Sequence, residues 1–78
     1  MRKLKIVERK LGRENAWGQQ RDELVEIDPR QHSRQYLKTL IHELLHYEFN
    51  DLSESRVKQV TATLTKAIWN KNYRRIAK

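Results

Sequence analysis

The chain contains no cysteine. That excludes a disulfide framework, thiolate zinc fingers, iron–sulfur sites and thiol catalysis. It has two glycines and one proline, and no internal repeat, linker or low-complexity run. No apolar stretch approaches the roughly 20 residues that a membrane span needs. The basic start Met1-Arg2-Lys3 is not followed by an apolar signal region, so the expected location is cytoplasmic, with no membrane partner. What is present is 78 residues, 37% hydrophobic and 35% charged. Ordered hydrophobic runs argue against disorder. A chain of this size buries only about 60–65% of its unfolded surface. The expectation is therefore one domain, 1–78, whose thin core a structural metal would help to hold.

The net charge of +7 is unevenly placed. Residues 1–13 carry six Lys/Arg against Glu8, residues 66–78 carry five with no acid, and the middle is net −3. Basic ends attract nucleic acid or another polyanion through counterion release. They serve equally as a solvated surface, and Lys3, Lys5, Arg9 and Lys10 read as the outward face of an edge strand.

Lys3–Arg9 partly alternates apolar with polar residues around a β-branched pair, and Asp22–Asp28 places Val25 and Ile27 on one face. Both read as strands, and together as an antiparallel hairpin. Gly12–Gly18 reads as a loop, in which Trp17 either packs back on the core, the expected role, or flanks a cleft, and Asp28-Pro29 closes the second strand. From Ser33 to Phe49 the period becomes helical, with Leu37, Leu40, Ile41, Leu44 and Leu45 in one stripe. Asn50–Ser53 breaks it. Asp51 or Ser53 then caps a last helix, carrying Val57, Val60, Leu64, Ala67 and Ile68 on one side and running to about Asn72. The fold class is α+β: a short antiparallel hairpin or sheet packed on two helices.

The first helix carries His42-Glu43-Leu44-Leu45-His46. Histidines four apart share one helix face, with Cβ atoms about 5–6 Å apart, so both imidazoles reach one zinc ion at about 2.0–2.1 Å. They point roughly 150° from the centre of the leucine stripe, so one side of the helix meets the core and the other a cleft. Glu43 stands beside the pair, placed to take a proton from water; that is the mechanical content of HExxH. A catalytic zinc wants a third protein ligand. Glu54, in the first turn of the last helix at the edge of its apolar stripe, would face the first helix and is the expected ligand. Asp51, a good cap, and His32, a pre-helix residue, are the alternatives. Glu48 lies on the wrong side of the helix to chelate.

These residues resemble the zincin metallopeptidases. With Leu52-Ser53-Glu54-Ser55-Arg56-Val57 they are similar to small phage and bacterial metallopeptidases, in which a strand, an HELLH-like helix and a later S-E-x-x-V segment form nearly the whole protein. The similarity spans about residues 24–70. A glutamate as third ligand implies the gluzincin branch, although His46 to Glu54 is a shorter gap than full-length gluzincins use. A metzincin pattern would need glycine at Phe49 and histidine or aspartate at Leu52, and neither is present. The resemblance implies a minimal zincin-like metallopeptidase domain with one zinc per chain, a peptide or protein substrate, and Glu43 as general base. It also implies that the strand at 23–28 pairs with an extended peptide. Tyr36, Tyr47, Tyr73 and His32 are candidates for oxyanion stabilisation.

The alternative is an inactive, zinc-stapled module that binds nucleic acid or a protein partner through its basic ends. Lys66, Lys71, Arg74 and Arg75 beside Trp69 and Tyr73 would form its contact surface, unless Trp69 and Tyr73 simply make a small core or dimer cluster.

Overall fold

A computed structural model describes residues 3–12 and 16–76. The basic start Met1-Arg2 and the centre of the Gly12–Gly18 loop, residues 13–15, lie outside the described residues. The chain forms β1 (Lys5–Glu8), β2 (Gly18–Arg21), β3 (Leu24–Ile27), α1 (Ser33–Glu48) and α2 (Glu54–Asn70). This is an α+β fold: a three-stranded mixed sheet with order β1-β3-β2, and two helices. Among the described residues no helix is long and apolar enough to cross a membrane.

The sheet corrects the expected hairpin. β1 lies parallel to β3, and the antiparallel partner of β3 is β2. The reason is loop length. Only Asp22 and Glu23 separate the paired Arg21 and Leu24, and Asp22 adopts φ 50°, a left-handed conformation that aspartate tolerates in tight turns. The 15 residues between Glu8 and Leu24 instead let the chain cross to the far edge and return, so β1 need not reverse against β3. β3 is thus the central strand, with both edges paired. It cannot accept a peptide strand, as had been expected of residues 23–28; the outer edges belong to β1 and β2.

Val25 and Ile27 are fully buried, while Glu26 points the other way and is still only 6% exposed. Its carboxylate accepts from Arg9 Nε at 2.6 Å, from Gln19 and from Arg21 at 3.4 Å. The Arg9 and Gln19 hydrogen bonds outweigh burial and hold its pKa at about 2 rather than 4.5. Because the folded pKa is depressed, the stability Glu26 contributes is complete above about pH 4.5 and is lost as pH falls through about 2. Glu26→Gln is expected to lower the urea midpoint at neutral pH and to flatten its decline across that window. An unchanged acid profile would show that the cluster does not contribute.

Leu11, which no periodicity marks, is fully buried. Its N–H donates to Asp28 Oδ2 at 2.9 Å, and Arg30 closes on the same carboxylate at 2.6 and 2.9 Å. The Arg30 contact, with backbone donors, holds Asp28 far below the usual carboxylate range. This knot fixes the approach to α1, which begins at an N-cap formed by His32: its Nδ1 accepts from Gln35 N at 3.4 Å. α2 is capped by Ser53, whose Oγ accepts from Arg56 N at 3.1 Å; Asp51 is exposed in the turn.

The α1 backbone packs against β2, β3 and α2 and reaches β1 through the Tyr36–Glu8 hydrogen bond. Lys5 and Arg9 lie on an exposed edge, and Ile6 and Val7 are 49% and 40% exposed. On α2 the buried residues are Val57, Thr61 and Thr65, a face rotated by roughly 60° from the apolar stripe read in the sequence. Leu64 is 39% exposed. Threonine presents a methyl group as well as a hydroxyl, so hydropathy overlooks it. The Oγ1 atoms of Thr61 and Thr65 are buried without a partner among the described residues, which costs stability.

Candidate metal centre

α1 and α2 are joined by a short turn, so the C-terminal half of α1 lies beside the first turn of α2. His42 and His46, one helical turn apart, face each other with Nε2 atoms at 3.1 Å and ring centroids at 4.8 Å. Glu54 completes the group from α2. Its Oε1 lies 3.1 Å from His42 Nε2 and its Oε2 lies 3.1 Å from His46 Nε2. Among the described residues this is the one group of three His, Cys, Asp or Glu able to share a metal ion.

The donor set fits zinc. With bonds of about 2.0–2.1 Å, a tetrahedral zinc separates its ligands by about 3.3 Å. The two Nε2 atoms stand 3.1 Å apart and each lies 3.1 Å from a different oxygen of Glu54, spacings close to that figure, so the three side chains could share one ion. Two imidazoles and one carboxylate are also a donor set that catalytic zinc uses. Burial pushes the His42 pKa down, partly opposed by the Glu54 charge; a neutral ring is the form that binds a metal.

Glu43 is half-buried on the adjacent face. Burial pushes its pKa up, and the Glu54 charge adds to this while His46 opposes it. Its position depends on β2. A Cβ at Gly18 would stand 2.5 Å from Thr39 Cγ2 and 3.2 Å from Glu43 Cγ, so only glycine lets the strand approach α1 this closely. Gly18→Ala is expected to destabilise the fold by about 1–3 kcal/mol, read from urea unfolding, and to move β2 off Glu43. Wild-type stability in that variant would show that the contact yields freely.

Trp17 takes the second of its two expected roles. It is 52% exposed rather than packed on the core, and it lines a cleft with Gly18, Lys38, Thr39, His42 and Glu43. The signal was its place one residue before the close-approach glycine, which becomes legible only once β2 is known. The other candidates stand elsewhere. His32 is occupied as a cap. Tyr36 donates to Glu8 at 2.6 Å, and burial with that carboxylate pushes its pKa up to about 12. Tyr36 and Tyr73 line a separate groove with Leu37, Leu40, Ile68 and Trp69.

Of the four basic residues read as a contact surface, Lys66, Lys71, Arg74 and Arg75, the two lysines are exposed. Arg74 stacks 3.4 Å from the Trp69 ring centroid and donates to Trp69 O at 2.7 Å. Arg75 pairs with Glu8 at 2.8 Å and lies over Tyr36. Both guanidiniums are thus engaged within the chain. Compared with known protein families, curated proteins and solved structures, the chain matches none of them.

Proposed function

We propose that this chain is a minimal zinc-dependent peptidase of zincin type. The observation that carries this reading is the cluster of His42, His46 and Glu54, in which the two Nε2 atoms lie 3.1 Å apart and each lies 3.1 Å from one Glu54 carboxylate oxygen, flanked by the half-buried Glu43. His42, His46 and Glu54 would hold the zinc, which when bound would supply Lewis acidity to the scissile carbonyl and to water. Glu43 accepts the proton of the attacking water and delivers it to the leaving amine nitrogen. Its half-buried carboxylate has a raised proton affinity suited to both steps.

The outer edge of β2 is the strand edge nearest Glu43, through Gly18. An extended peptide added there by backbone hydrogen bonds lies alongside the histidine pair. β2 replaces residues 23–28 in that role, since β3 has no free edge.

The test is metal content and peptide cleavage measured together. Wild type is expected to hold about one zinc per chain and, so loaded, to cleave unfolded protein or peptide; His46→Ala and Glu54→Ala are expected to lose both. Absence of zinc after reconstitution would overturn the reading. Salt-dependent nucleic-acid binding that survives Glu43→Gln, with no cleavage by wild type, would bring the stapled binding module forward.

A further inference from the structure

The cleft beside Glu43 has features that the hydrolytic step does not use. Its volume is about 180 Å³, below the roughly 300–1,000 Å³ of a small-molecule pocket, so it suits a single side chain. One wall is the Trp17 indole. Its exposure does not come from a loose loop, because the Trp17 carbonyl accepts from Asp28 N at 2.8 Å and from Gln31 Nε2 at 3.1 Å. Gln31 is held in turn by the Thr39 hydroxyl at 2.6 Å. A large aromatic ring is therefore presented at the cleft on a fixed backbone.

The cleft lining sets one ammonium, Lys38, against one carboxylate, Glu43. Lys38 lines the cleft from one turn before His42 on α1. Lys58 stands one turn after Glu54 on α2, and its charge reaches His42. Each helix thus places a lysine next to the ligand cluster. With the dication of the proposed site bound, the charges of Glu43 and Glu54 would be balanced, and the two ammonium groups would leave a net positive field. Such a field attracts an acidic side chain and repels a basic one.

We propose that the peptide taken here carries an acidic side chain next to the scissile bond, seated with its carboxylate on Lys38 and its methylenes against Trp17. This assignment rests on the peptidase reading and names its substrate class. Lys38 and Trp17 are specificity residues; neither takes part in the proton transfer.

The experiment uses two peptides identical except for Glu or Lys on either side of one cleavable bond. Cleavage is measured with the zinc-loaded chain. Equilibrium binding is measured separately with Glu43→Gln in a Trp69→Phe background, where Trp17 is the only tryptophan fluorophore. The Glu peptide is expected to be preferred by about fivefold to tenfold in both assays. Lys38→Glu, an exposed change that leaves the fold intact, is expected to reverse that order. Trp17→Ala is expected to raise KM for the Glu peptide more than it lowers kcat. Cleavage without charge preference, or a preference unchanged in Lys38→Glu, would overturn the subsite and leave the peptidase reading standing. Lys38-dependent binding of the Glu peptide without cleavage of either would keep the subsite and remove the hydrolytic role. Neither binding nor cleavage removes both.

Discussion

Glu43→Gln is expected to lower peptide hydrolysis by about 10²–10⁴-fold, the range a positioned general base contributes, while zinc content stays at that of wild type. The substitution keeps the size of the side chain and its contact with Gly18. His42, His46 and Glu54 retain their mutual geometry, so metal binding does not depend on residue 43. What is lost is the proton acceptor. Steady-state rates on one peptide, with metal analysis on the same preparations, check both halves of the expectation. Equal rates in variant and wild type would reduce Glu43 to a packing neighbour of β2. Loss of zinc alongside activity would mean that its carboxylate belongs to the ligand set.

The expectation depends on three elements meeting at one place. α1 supplies the histidine pair and Glu43 from adjacent faces. α2 supplies Glu54 from its first turn, where a carboxylate also complements the helix dipole. β2 closes the third side, and it does so because residue 18 has no side chain. α1 and β2, with Trp17 just before it, line the cleft, and α2 brings Glu54 to the histidine pair at its margin.

How much of this is legible in the sequence follows from the range of the interactions involved. The two helices are legible because 3.6-residue periodicity is local: Ser33–Glu48 and Glu54–Asn70 fall within two residues of the expected ends, and Ser53 caps as anticipated. The cluster of His42, His46 and Glu54 is legible for a related reason. His42 and His46 are fixed by helix geometry, and Glu54 lies only eight residues on, across a single tight turn.

Strand pairing is a different problem. Gly18-Gln19-Gln20-Arg21 carries no β-branched or aromatic residue, so propensity gives no sign of a strand. It exists because its backbone completes the β3 ladder and Gln19 satisfies the buried Glu26. With β2 unseen, Lys3–Arg9 is the obvious hairpin partner, and nothing ranks the cleft above core packing for Trp17. Leu11 and the Thr61–Thr65 face were hidden likewise, the first by a lone position in a loop, the second by the hydroxyls of residues that pack through their methyls.

Chelation is expected to lower the melting temperature of the zinc-loaded chain by about 10–30 °C. The fully buried apolar side chains are few (Leu11, Val25, Ile27 and Val57), and two buried threonine hydroxyls lack partners among the described residues. A domain of this size has little margin of its own. A ligand that binds only the folded state adds about 2.7–4.1 kcal/mol at 100 to 1,000 times its Kd, and about 1 kcal/mol moves the melting temperature of a 60–100-residue domain by about 4–8 °C. The gain is specific to the clamp: two ligands lie on α1 and one on α2, so separating the helices breaks the coordination. Glu54→Ala is therefore expected to melt near chelated wild type and to be insensitive to further chelator. His46→Ala should do the same from the other helix. A wild-type melting temperature that chelator leaves unchanged would mean that the helices are held by packing alone, and His42, His46 and Glu54 would then be an ion-pair cluster rather than a metal centre.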